Sequence, residues 1–275
     1  MGVSRRSPEL FLTILAFAAG VALLLIALGV ADGRAGGVDL AQAADSPSPT
    51  VVSQAAEAAE LRTAPASRPE PEIALPHDGT PILTVRDGAE VTMRDAPDGK
   101  AVTTLTDTTE FDSPTVLSVA ERRGNWAGVP TAELPNGELG WVKLDDDGLK
   151  IDSVGQSIVL DLSSTTARLY RGDDLERKWE IGIGAPATPT PTGRFSITDE
   201  IEGGLNPTYG CCAIALSAVQ PNLPPGWTGG DRIAIHGTSL PLGEANSTGC
   251  PHSSEDDLHA IIDGVPLGTP VTIKN

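Results

Sequence analysis

Between about residue 81 and the carboxy terminus, hydrophobic runs stay short, and Gly, Pro or Asn ends nearly every one of them. Glycine and proline number 30 and 23 among 275 residues, nearly a fifth of the chain, against an average near 12%. Interrupted runs of this kind cannot hold a helical period. They suit strands joined by turns. Val91-Thr92-Met93-Arg94 alternates and stops at Ala96-Pro97-Asp98-Gly99, and Val116-Leu117-Ser118-Val119 gives way to Arg123-Gly124-Asn125. Trp126–Val129 and Gly140-Trp141-Val142 flank an Asn136-Gly137 hairpin turn. Further strands are expected at 157–162, 167–170, 175–183, 194–197, 211–216, 232–235 and 270–273. The stretch 185–193 holds Pro186, Pro189 and Pro191 and must be a loop, because proline cannot donate within a sheet. A single helix is expected, capped by Ser253 or Ser254, with Leu258, Ile261 and Ile262 on one face up to Gly264. The fold class is therefore mainly β with one late helix.

The amino-terminal third is built differently. Residues 1–9 carry Arg5 and Arg6, and the run 10–31 holds no charged residue. Such a run is long enough to cross a hydrocarbon core of about 30 Å. Its length favours a retained transmembrane anchor with a cytoplasmic amino terminus; the alternative is a cleaved signal peptide ending near Gly29-Val30-Ala31. Both readings export the rest. No cysteine lies near this segment to carry a lipid. Residues 32–80 are rich in Ala, Pro, Ser, Glu and Asp and read as an extended linker, with His77 solvated in its last part. Two β-rich domains follow, at 81–149 and 154–275.

A formal charge of −18 argues against a nucleic-acid surface or a polybasic membrane patch. The three cysteines are Cys211, Cys212 and Cys250. An odd count leaves at least one thiol free. No CxxC pair or zinc-type spacing is present, so no metal or cofactor is expected. Adjacent Cys211 and Cys212 on a strand would face opposite ways; two buried thiols are expected in preference to a vicinal disulfide.

The residues suited to catalysis gather late in the chain. His236 ends an apolar strand, and Cys250 follows fourteen residues on, between Gly249 and Pro251. Pro241, Gly243 and Gly249 force a loop between them that can bring both side chains together. A cysteine nucleophile attacks as the thiolate and needs a base within hydrogen-bond reach. The N–H groups of Gly249 and Cys250 are candidates for an oxyanion hole, and the helix starting near Ser254 is a candidate source of positive potential. Spacing alone leaves open that Cys250 is merely a structural thiol.

Two resemblances extend this reading. Arg94-x-x-Pro97-x-Gly99, Gly124-x-Trp126-x-x-Val129 and Gly140-Trp141-Val142 resemble a bacterial SH3-like barrel over about 65 residues. Such modules bind wall material or act as spacers. Trp126 and Trp141 would then be core residues, or would line a groove.

The second resemblance spans about 120 residues. Ile158–Ser163 with Ala167–Tyr170, Thr190-Pro191-Thr192-Gly193-Arg194-Phe195-x-Ile197, His236-Gly237-Thr238, Ser247-x-Gly249-Cys250 and Gly268–Val271 resemble the L,D-transpeptidase (YkuD) catalytic domain. The resemblance implies Cys250 as nucleophile and His236 as general base and acid. Gly237 orients the loop, Gly249 offers backbone to the oxyanion, and Ser247, Thr238 and His252 contact substrate. It implies a thioester formed on a peptidoglycan stem tetrapeptide and resolved by an acceptor amine into a 3→3 crosslink. With water as acceptor the enzyme would be an L,D-carboxypeptidase, and a degenerate site would leave a wall-binding protein. The implied partners are stem peptides, with the membrane reached through 10–31, no nucleic acid, and a monomeric chain in the bacterial cell envelope. Two departures from the family stand out. Thr248 occupies a position often held by histidine. Pro251-His252 replaces the usual apolar-Arg pair, so any positioning role of His252 would depend on pH near neutrality.

Overall fold

The computed structural model describes residues 72–275. The run 10–31 and most of the 32–80 linker lie outside the described residues. Among the described residues, no helix is long and apolar enough to cross a membrane.

Eight strands come first: β1 (Thr80–Val85), β2 (Glu90–Arg94), β3 (Ala101–Thr106), β4 (Val116–Ser118), β5 (Glu121–Arg123), β6 (Trp126–Pro130), β7 (Leu139–Lys143) and β8 (Leu149–Val154). They make two antiparallel sheets, ordered β3-β2-β7-β6-β5 and β4-β1-β8. The period-2 pattern explains the packing. In β2, Val91 and Met93 are fully buried while Glu90 and Thr92 stay exposed. Leu83, Val85, Ala127, Val129 and Val142 complete the core. Trp141 is buried, with the Arg123 guanidinium 4.5 Å above its ring centroid, whereas Trp126 is half-buried.

The second part holds β9 (Gln156–Asp161), β10 (Thr166–Arg171), β11 (Asp174–Glu180), β12 (Ile183–Gly184), β13 (Gly193–Ile201), β14 (Ala213–Val219), β15 (Arg232–Gly237), β16 (Ala245–Ser247), β17 (His252–Ser253) and β18 (Pro270–Lys274). Its one α-helix, α1 (Glu255–Ile262), precedes β18. The main sheet runs β11-β10-β9-β18-β13-β14-β15-β17, and β12 pairs with β16 in parallel beside it. Leu258 and Ile261 of α1 are fully buried in one core with Ile158, Leu160, Ile197, Ile214, Leu216, Ile233 and Ile235. Ser254 caps α1, its hydroxyl accepting from the Asp257 N–H.

Three expectations need correction. The strand foreseen at 175–183 is broken: β11 ends at Glu180, and Gly182 leaves the sheet to exchange both backbone hydrogen bonds with His252. The strand foreseen at 211–216 starts at Ala213, because Cys211 and Cys212 form the turn before it. Those two cysteines are joined as a vicinal disulfide rather than standing as two thiols. Cys250 is the free one.

The two parts meet along a continuous seam. Ile82, Val116 and Val154 pack with Leu267. The Asn136 side chain donates to the Val219 carbonyl (2.6 Å) and accepts from the Val219 N–H (3.0 Å). Thr109 donates to the fully buried Asp199, and Glu110 pairs with Arg232 at 2.8 Å.

Candidate active site

A parallel strand pair builds the site. β15 and β17 run side by side with His236 opposite His252, and the His236 N–H donates to the Pro251 carbonyl at 3.2 Å. Cys250 lies two residues before His252, so its sulfur falls beside Ala234. The Ala234 N–H donates to that sulfur at 3.5 Å, and the Arg232 carbonyl lies 4.0 Å from it. Ala234 and His236 are two residues apart on one strand and face the same way, about 7 Å along the strand. Nucleophile and base candidates thus line one groove of about 170 Å³, together with Tyr209, Ser247, His252 and Trp227.

The tautomer of His236 follows from its partner. Its Nδ1 lies 2.7 Å from the Gly237 carbonyl, which can only accept. Nδ1 therefore carries the proton, and Nε2 keeps the lone pair a general base needs. The Tyr209 ring stands edge-on to His236 with centroids 4.7 Å apart. Burial lowers the His236 pKa, opposed by its bond to Gly237. Burial also pushes the Cys250 thiol up, opposed by the Ala234 N–H. The resting pair is accordingly a neutral thiol and a neutral imidazole in one groove, so a thiolate would form only as the proton moved.

His252 is neither solvated nor poised near neutrality. It is 5% exposed, packs edge-on against His236 at 4.8 Å, and its Nδ1 is buried without a hydrogen-bond partner. Burial, and then the neighbouring His236, push its pKa down to about 4. Near neutral pH it is uncharged and cannot replace the expected arginine as a cation.

The remaining candidates fall in two places. Ser247 lines the groove, and its hydroxyl accepts from the Gly249 N–H at 3.0 Å. That bond commits the Gly249 N–H within its own loop. Only the Cys250 N–H is left there without a partner among the described residues as an oxyanion donor. Gly249, Gly237 and Thr238 are not among the residues that line the groove. Gly237 presses its backbone on Gly210, where a Cβ would lie 2.7 Å from the Gly237 Cα. The Thr238 hydroxyl accepts from the Leu240 N–H, which makes it part of a turn. The first turn of helix α1 holds the Ser254 cap and three acidic residues, which offset its positive end.

Sequence reasoning passed over the residues that hold the Cys250 loop. Thr190 Oγ1 donates to the Gly249 carbonyl at 2.8 Å, and Thr188 Oγ1 donates to the Ser247 carbonyl at 3.1 Å. Gln220 Nε2 donates to the Thr248 and Pro189 carbonyls, both at 3.1 Å. Thr190 stands inside a quoted family block; Gln220 follows an apolar strand with no signal to mark it. Away from the groove, ligand-type atoms of Cys211, Cys212 and His259 gather within 4.8 Å, with the two sulfurs bonded to each other.

The L,D-transpeptidase catalytic domain, YkuD, matches residues 155–273. The YkuD protein of Bacillus licheniformis is 31% identical over 124 residues, covering 44% of this chain and 67% of that protein. The YkuD protein of Bacillus subtilis is 29% identical over 119 residues, covering 42% and 65%. The chain thus spans about two thirds of these relatives. The solved L,D-transpeptidase from Mycobacterium smegmatis aligns with 58% of this chain and 90% of its own, at 15% identity and a TM-score of 0.37. From its order of motifs, the match to the family model and the likeness to the Bacillus licheniformis protein, the chain belongs to the YkuD family of L,D-transpeptidases, with its catalytic domain at residues 155–273.

Proposed function

We propose that this chain forms 3→3 crosslinks in peptidoglycan through a thioester on Cys250. The observation that carries the reading is the convergence of the Cys250 sulfur and the His236 ring in one groove, with the His236 tautomer fixed by Gly237. As Cys250 attacks the carbonyl between the third and fourth stem residues, its S–H proton passes to His236 Nε2. The C–N bond then breaks, and Nε2 returns the proton to the departing D-alanine amine. The Cys250 N–H faces the oxygen that gathers negative charge. An acceptor amine next attacks the thioester; the sulfur leaves and regains its proton through His236.

In the same reading, residues 81–149 serve as an SH3-like spacer or wall-binding module. Residues 10–31 tether or export the chain so that the groove opens on the wall. Incubation with a carbapenem followed by intact-mass analysis tests the chemistry. A single adduct is expected, absent in Cys250→Ala and slowed at least a hundredfold in His236→Ala. An unmodified wild-type protein between pH 6 and 9 would leave a non-catalytic wall binder. Purified disaccharide-tetrapeptide separates the remaining outcomes: crosslinked dimers mark the transpeptidase, and tripeptide alone marks a carboxypeptidase.

A further inference from the structure

The groove presents two charged side chains, Asp231 and Arg232, among its lining residues. The Arg232 charge is already met. Its Nη2 lies 2.8 Å from Glu110 and its Nη1 lies 3.9 Å from Asp199, with Thr198 Oγ1 3.3 Å from Nη1. His236 and His252 are both held toward the neutral form by burial. Asp231 is exposed, and its carboxylate makes no ion pair or hydrogen bond among the described residues. It is therefore the one uncompensated charge on the groove wall.

Its backbone is well fixed. The Asp231 carbonyl accepts from the Gln220 N–H at 2.7 Å, closing the loop between β14 and β15 at its base. The next residue, Arg232, carries the carbonyl 4.0 Å from the Cys250 sulfur. Asp231 is thus the chain neighbour of the residue whose carbonyl meets the sulfur, and it lines the same groove as Cys250.

We propose that Asp231 is the acceptor-binding residue, the carboxylate that draws the acceptor's ammonium group into the groove ahead of water. The inference rests on the acyl-transfer reading and says which partner the thioester meets. An acceptor arrives as R–NH₃⁺ and must lose one proton to solvent before its nitrogen has a lone pair. The nitrogen then bonds to the thioester carbonyl carbon and the C–S bond breaks. The second amine proton passes through His236 Nε2 to the sulfur, so that amide, thiol and one solvent proton account for every atom. A carboxylate at the wall raises the local concentration of a cation and does nothing for neutral water. Asp231 thereby biases the thioester toward aminolysis.

The test uses the full chain and a disaccharide-tetrapeptide with a diamino acid at its third position, which serves as both donor and acceptor. Two quantities are followed: the rate of Cys250 acylation by intact mass, and the ratio of crosslinked dimer to hydrolysed tripeptide. Asp231→Asn is expected to acylate at the wild-type rate while the ratio falls about five- to tenfold. Asp231→Glu should recover most of the ratio. Added salt should lower the wild-type ratio and leave that of Asp231→Asn unchanged. An unchanged ratio in Asp231→Asn at low ionic strength overturns the inference, as does an equal loss of acylation and crosslinking. Failure of the wild type to acylate is a different result, and it overturns the acyl-transfer reading beneath it.

Discussion

Gln220 bears more of the Cys250 loop than the neighbouring groove residues do. It is 4% exposed, and its amide nitrogen reaches the carbonyls of Thr188, Pro189 and Thr248 while its oxygen accepts from the Asn222 N–H. Gly249 passes directly over this amide at φ +123, and a Cβ there would collide with it. Gln220→Ala strands buried carbonyls and is expected to cost about 1–3 kcal/mol in a denaturant melt. It should also slow acylation at least tenfold, because Cys250 loses its support, while Gln220→Glu leaves the volume filled but removes the donors and should recover little. None of this was legible in the sequence, since Gln220 and Thr248 lie 28 residues apart and meet only once three loops have folded. That Cys250 and His236 share one groove was legible, because the glycines and proline between them mark the loop that brings them together. The state of His252 was not, as its neutrality comes from burial against His236.

Strands repeat the lesson at a larger scale. Glycine and proline punctuation located most of the sheet, and Ser254 marked the helix start, because both signals act within a few residues. The break after β11 escaped notice because its cause, the bonding of Gly182 to His252, lies seventy residues away. β13 holds a consequence for stability. Glu200 is half-buried opposite Ile214, its Oε1 has no partner, and burial, with the nearby Glu202 adding to it, raises its pKa to about 7. The folded chain keeps a proton there that the unfolded chain releases above about 4.5. Stability from this group is therefore full below pH 4.5 and declines as the pH climbs through 7. Glu200→Gln should raise Tm at pH 8 and leave it unchanged at pH 4, measured by calorimetry at both.

Across the whole molecule, the seam between the two β parts lies close to the groove. Asn136 clasps Val219, and Val219 is followed by Gln220. Glu110 and Thr109 reach Arg232 and Asp199, and Arg232 opens the strand that carries His236. Asn136→Ala leaves the Val219 N–H and carbonyl without partners. It is expected to cost about 1–3 kcal/mol and, unlike an ordinary surface change, to slow acylation several-fold by loosening Gln220; equal acylation rates in the two proteins would show that the clasp stops at the seam. Asn136 stands out in the sequence only as half of an Asn-Gly turn, and a turn motif gives no hint that its amide faces another strand.

That asparagine makes the two parts poor candidates for free exchange between proteins. A foreign β part grafted in front of this catalytic domain would need an amide at the same hairpin tip, or it would leave the Val219 peptide group open next to Gln220. Lineages that recombine such modules should therefore inherit tip and strand end as one unit.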